Sequence, residues 1–75
     1  MVRKKLNVKE VIDGDTFIDS KGRKYRLENV DAPEKGKPGY QKAKNLLKNL
    51  IQGEMVGIQP VAKDKYGRNI VRVYK

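Results

Sequence analysis

Val8-Lys9-Glu10-Val11-Ile12-Asp13-Gly14-Asp15-Thr16-Phe17-Ile18-Asp19-Ser20-Lys21-Gly22-Arg23-Lys24-Tyr25-Arg26-Leu27 decides the fold. Two turn signals divide it into three extended runs. Asp13-Gly14 is a tight-turn pair between apolar, β-branched flanks. Ser20-Lys21-Gly22 is a second turn. The runs 3–12, 15–19 and 23–30 therefore read as consecutive strands of a meander. In the third, Tyr25 and Leu27 share one face and Lys24, Arg26 and Glu28 the other.

Downstream, residues 30–39 form a loop, because Pro33, Gly36, Pro38 and Gly39 oppose a helix. From 40 to 52 the apolar period becomes helical. Ala43, Leu46, Leu47, Leu50 and Ile51 make one stripe, with Gly53 as its C-cap. Residues 55–61 read as a fourth strand, 64–67 as a turn and 70–74 as a fifth strand. No internal repeat, low-complexity tract or linker is visible. Three strands, a helix and two strands predict a mainly β (α+β) domain, a five-stranded OB-fold barrel with one helix between strands three and four. The apolar stripe is expected to plug one end of the barrel.

Composition narrows the chemistry. The chain has 75 residues, enough for one small domain. A domain of this size buries only roughly 60% of its unfolded surface. It has no cysteine and no histidine. That excludes disulfides, zinc sites of the usual kinds and nucleophile–histidine pairs. Acid–base work near neutral pH falls to carboxylates, Lys, Tyr or metal-bound water. The net charge of +9, from 18 Lys and Arg against 9 Asp and Glu, suits a polyanionic partner such as nucleic acid. Charge by itself separates neither DNA from RNA nor either from an anionic membrane. No apolar run is long enough to span a bilayer. No export signal is visible, because Asn7, Lys9 and Glu10 interrupt the segment after Met1-Val2-Arg3-Lys4-Lys5. The compartment is open, with the cytoplasm as the default.

Three segments carry chemistry. Ile12-Asp13-Gly14-Asp15-Thr16 puts two acids at a turn. Arg26-Leu27-Glu28-Asn29-Val30-Asp31-Ala32-Pro33-Glu34 ends a strand in a loop stiffened by Pro33, with Asp31 and Glu34 on it. Asp64-Lys65-Tyr66-Gly67-Arg68 is a turn whose glycine lets Arg68 project. Each alone reads as ordinary turn or loop chemistry, and Arg26 alone as a strand residue pairing with Glu28 or Asp15. Together they supply hard oxygen ligands, a base and two arginines.

In that order the three segments closely resemble the staphylococcal nuclease (thermonuclease) family, from about Val8 to Tyr74. The resemblance implies a metal site in which Asp15 and Asp31 bind Ca2+ through carboxylates and Ala32 through its backbone carbonyl. It implies Arg26 and Arg68 on the scissile phosphate, Glu34 as general base, and Lys65 and Tyr66 on a neighbouring phosphate. Asp13 supports the turn. Family members hydrolyse DNA and RNA with little sequence preference, favour single strands and leave 3′-phosphate ends. A non-catalytic module that holds single-stranded nucleic acid is the alternative, and a protein-interaction barrel a more distant one. Two departures stand out. Ala32 replaces a threonine of the best-known member. Family domains also continue with further helices, whereas this sequence is expected to be a single domain, 1–75, without them. A monomer with single-stranded DNA or RNA as partner, and no membrane, is the corresponding expectation.

Overall fold

The computed structural model describes residues 4–28 and 30–74. Six elements follow in order: β1 (Lys4–Asp13), β2 (Thr16–Asp19), β3 (Lys24–Leu27), α1 (Tyr40–Ile51), β4 (Met55–Lys63) and β5 (Asn69–Tyr74). The strands close into a barrel in the order β1-β2-β3-β5-β4. β1 is long enough to serve two neighbours. Its residues 4–7 pair with β4, and 8–13 with β2. Bulges between Val8 and Glu10 and between Val11 and Asp13 bend it from one partner to the other. All pairings are antiparallel except the seam, where β3 runs parallel to β5 with Arg26 opposite Ile70. This is the mainly β, five-stranded OB-type barrel with its helix between strands three and four.

Alternation builds the core. Val8, Val11, Phe17, Tyr25, Val56, Ile58 and Val71 point inward from the strands, and Leu47 and Ile51 enter from α1. Phe17 and Tyr25 are directly opposed across β2 and β3, and their rings stack at 5.4 Å. The Gln52 side chain accepts the Val11 N–H at 3.0 Å, and Gly53, with φ +79°, donates its N–H to the Val8 carbonyl. These bonds lock the helix end onto β1. Gln52 is thus the C-cap and Gly53 the left-handed residue after it.

Several boundaries move. The first strand begins at Lys4 among the described residues, Arg3 lying outside them. The third strand, expected over 23–30, ends at Leu27, and Asn29 is outside the described residues. The fourth runs on to Lys63, absorbing Pro60 at a bulge between Pro60 and Ala62, where a missing N–H does no harm. The apolar stripe divides. Ala43, Leu47 and Ile51 face the barrel, whereas Leu46 and Leu50 stay 57% and 54% exposed. A single helix on a narrow barrel is covered along one i, i+4 row, and the adjacent row lies on its flank.

Candidate active site

The hairpin turn between β1 and β2 carries Asp15. Asp13 pairs with Thr16 across a two-residue loop. Gly14 within it does not have a positive φ; its role is close approach. A Cβ at Gly14 would stand 2.7 Å from the Ala32 Cβ and 2.8 Å from the Ala43 Cβ. Gly14, Ala32 and Ala43 are therefore three small residues that let turn, loop and helix meet. Ala32 lies between Asp31 and Pro33, so this contact also sets the spacing of Asp15 from Asp31.

Arg26 reaches the same place from β3. Thr16 and Arg26 are register partners, and the Arg26 guanidinium lies 3.5 Å from Asp15 Oδ2. The other oxygen, Oδ1, accepts a hydrogen bond from the Thr16 hydroxyl at 3.0 Å. Of the two partners expected for Arg26 across the sheet, Asp15 is the one taken, while Glu28 pairs with Arg72. Asp31 and Glu34 stand exposed on the loop, and their carboxylates make no hydrogen bond or ion pair among the described residues, although the Glu34 carbonyl accepts the Lys37 N–H at 2.9 Å.

Arg68 arrives from the turn between β4 and β5. Asp64 builds that turn. Its Oδ1 accepts the backbone N–H groups of Tyr66 and Arg68 at 2.9 Å, and its Oδ2 accepts Arg68 Nε at 2.6 Å. Gly67 closes it at φ +82°. Burial would raise the Asp64 carboxyl, but the Arg68 N–H, the Arg68 guanidinium and the Tyr66 N–H outweigh that and hold it below its ordinary value. Because Arg68 spends its Nε on Asp64, its two terminal nitrogens remain for an anion.

Sequence reasoning missed Asp64, and the missed signal was a short repeat. Asp19-Ser20-Lys21-Gly22-Arg23 has the same pattern and forms the same turn. Asp19 Oδ1 accepts the N–H groups of Lys21 and Arg23, Oδ2 accepts the Tyr25 hydroxyl, and Gly22 has φ +83°. Asp19 is buried. Desolvation pushes its carboxyl up, but the bonds from the Arg23 N–H, the Tyr25 hydroxyl and the Lys21 N–H prevail and lower it. On the helix side, the Tyr40 hydroxyl donates to Asp13 Oδ1 at 2.7 Å and lies 3.1 Å from the Ile12 carbonyl. The bond to Asp13, then burial, raise the tyrosine above its ordinary value.

These elements surround one cleft of about 590 Å³. Asp15, Arg26, Asp31, Ala32, Glu34 and Arg68 all line it. Lys65 and Tyr66 do not. Tyr66 is 72% exposed, and its ring centroid lies 5.2 Å from Lys65 Nζ and 5.7 Å from Cζ of the cleft residue Arg68. No group of three or more His, Cys, Asp or Glu among the described residues is gathered closely enough to hold a metal ion by itself. The donors at the cleft are nonetheless all oxygens, the kind a hard cation takes. Such an arrangement offers two guanidiniums to an anion such as a phosphate and carboxylates to a hard cation.

A family model described as "Staphylococcal nuclease homologue" matches residues 24–75. An "Uncharacterized endonuclease" of Escherichia coli is 39% identical over 70 residues, which cover 89% of this chain and 46% of the relative. A "Thermonuclease" of Staphylococcus intermedius is 40% identical over 78 residues, with the same shares covered. A "Micrococcal nuclease" of Shigella flexneri is 31% identical over 70 residues, covering 89% of this chain and 40% of the relative. The chain thus spans less than half the length of these curated relatives. No helix among the described residues is long and apolar enough to cross a membrane.

Proposed function

The chain belongs to the staphylococcal nuclease homologue family, and from that premise we propose that its cleft hydrolyses phosphodiester bonds of single-stranded DNA or RNA with little sequence preference, using calcium. The observation that supports this most is the meeting of Arg26, Arg68, Asp15, Asp31 and Glu34 around one cleft. The groups lining it come from a single chain, so a monomer suffices.

Arg26 and Arg68 bind the scissile phosphate. Their planar forks donate paired hydrogen bonds to its oxygens. As water adds to phosphorus, negative charge builds on the equatorial oxygens. Two fixed guanidiniums stabilise that state more than the ground state. Glu34 takes the proton of the attacking water. The bond from phosphorus to the 5′ oxygen breaks, that oxygen gains a proton from solvent, and the products are a 3′-phosphate and a 5′-hydroxyl. Asp15 and Asp31 would hold Ca2+ through their carboxylates and Ala32 through its backbone carbonyl. When bound, the ion supplies electrophilic help to the phosphate. Ala32 would keep the main-chain ligand, and its methyl lies against Gly14, where an added Cβ would stand 2.7 Å from it. Lys65 and Tyr66 engage a neighbouring nucleotide, the ring by stacking and the ammonium by charge.

The test is cleavage of heat-denatured DNA and of RNA with calcium, with chelator, and with Glu34→Gln. Calcium-dependent cutting that disappears in Glu34→Gln supports the proposal. A strand that shifts on a gel but stays intact in calcium refutes it and leaves a binding barrel.

A further inference from the structure

Two depressions of about 330 and 260 Å³ lie at the end of the barrel that no α1 residue lines. They share Lys4, Arg23, Tyr25 and Ile58 and form one continuous rim. Lys5 and Lys21 extend it on one side and Lys63 on the other. All five cations are exposed. The acid among them, Asp19, has both oxygens occupied by the Lys21 and Arg23 N–H groups and the Tyr25 hydroxyl. Its charge stays within the patch, but Lys4, Lys5, Lys21 and Lys63 form no ion pair with it or with any other acid among the described residues.

The rim joins the cleft. Lys63 directly precedes the turn that Asp64 builds, and Asn69 follows it. Arg68 lines the cleft while its neighbour Asn69 lines the rim. Asn69 is also the register partner of both Lys63 and Tyr25. A chain of phosphates leaving the cleft past Arg68 and Lys65 therefore meets Lys63, then Arg23 and Lys4, then Lys5 and Lys21. A membrane surface fits less well, because the exposed apolar side chains Leu46, Leu50 and Met55 line neither depression.

We propose that this rim binds the phosphate backbone of single-stranded nucleic acid at nucleotides remote from the bond being cut. The proposal rests on the nuclease reading for the identity of the strand, but its test requires no cleavage. Fluorescence anisotropy in chelator would follow labelled thymidine strands of about 4 and about 16 nucleotides, the span of lengths one such barrel covers. One variant carries Lys4→Ala, Lys21→Ala and Lys63→Ala. A control of equal charge carries Lys9→Ala, Lys42→Ala and Lys48→Ala, none of which lines the cleft or the rim. For single strands each lost phosphate contact lowers the salt slope by roughly 0.7, so the rim variant should lose about 2 from it and the control less than 1. The rim variant should also lose most of the wild-type preference for the longer strand.

Equal slope losses in both variants would overturn the proposal, since net charge would then explain everything. So would a wild-type protein that binds both lengths equally, or neither. Lysine-dependent binding to phosphatidylserine vesicles, with strand binding unaltered in the rim variant, would overturn it in favour of a membrane surface. If the wild-type protein cuts nothing but the slope difference appears, the nuclease reading fails and the rim stands.

Discussion

Gly14→Ala adds one methyl group where three segments already touch. Carbon atoms pack at roughly 3.5–4.0 Å, whereas the new Cβ would lie 2.7 Å from Ala32 and 2.8 Å from Ala43. Neither neighbour is a flexible chain end. Both atoms are fixed directly to backbone, and the Ala43 carbonyl carbon lies only 3.3 Å away. The hairpin, the loop or the helix must therefore move by about the missing distance, roughly 1 Å, relative to ordinary contact. Overpacking of this kind costs about 1–3 kcal/mol. A chain of 75 residues has roughly 4–11 kcal/mol in all. A loss of 2 kcal/mol should lower Tm by about 8–16 °C. Catalysis should suffer more than stability. Asp15 follows Gly14 and Asp31 precedes Ala32, so the shift separates the two carboxylates, and a misplacement of about 1 Å can cost 10²-fold in rate. Thermal melts and calcium titrations of cleavage measure both effects. Ala43→Gly should return part of the stability to Gly14→Ala, even though glycine within a helix costs about 0.5–1 kcal/mol on its own. A double-mutant cycle should then show coupling of about 1 kcal/mol. An equally stable Gly14→Ala, or an additive cycle, would refute the steric reasoning.

Other consequences are equally open to test. Leu47→Ala should cost about 2–5 kcal/mol in urea unfolding, while Leu46→Lys should stay within about 0.5 kcal/mol. Equal effects would mean that the helix presents both rows to the barrel. Asp19→Asn should destabilise by about 1–3 kcal/mol at neutral pH, because bonds to an ionised carboxylate become bonds to a neutral amide. The folded carboxyl titrates below its ordinary 3.8. Its contribution is therefore present above the unfolded value and is lost as pH falls through the folded one. Urea midpoints of wild type and variant should converge in acid, and a constant gap would contradict the assignment. Arg68→Lys keeps the charge but loses the fork and the Nε bond to Asp64. Turnover should fall about 10²–10³-fold with an unchanged circular dichroism spectrum. Wild-type turnover in that variant would remove Arg68 from the phosphate.

What could be read from the sequence was what depends on near neighbours. The turns after Asp13 and after Asp19, the alternation through Tyr25 and Leu27, and the helical period from Tyr40 are local signals, and they carried the barrel class. The division of the helix stripe was not local. Leu46 and Leu47 are equally apolar, and only the width of the partner surface decides that one is buried and the other exposed. Gly14 was legible as a turn residue, but its closest neighbours, Ala32 and Ala43, are far away in sequence. In the cleft, the residue types and their order were legible through resemblance. The support beneath them was not. Asp64 gripping Arg68 and Tyr40 gripping Asp13 are contacts of polar groups whose single letters also describe ordinary surface. The repeated Asp-x-x-Gly-Arg pattern did announce a shared turn, and there the signal was present but unread.

The parallel seam between β3 and β5 bears on how the molecule comes into being. Arg26 is complete in the third strand and Arg68 stands at the threshold of the fifth, and the pairing of residues 25–27 with 69–71 brings those strands side by side. Such distant pairing bears a loop-closure entropy that earlier contacts do not repay, so it slows folding and comes late. While the chain is being synthesised, the first hairpins can form, but the ring stays open until the fifth strand has emerged. The phosphate clamp proposed for Arg26 and Arg68 is then an all-or-none property of the closed barrel. A nascent chain, however basic, has no assembled pair of arginines with which to grip the nucleic acid around it.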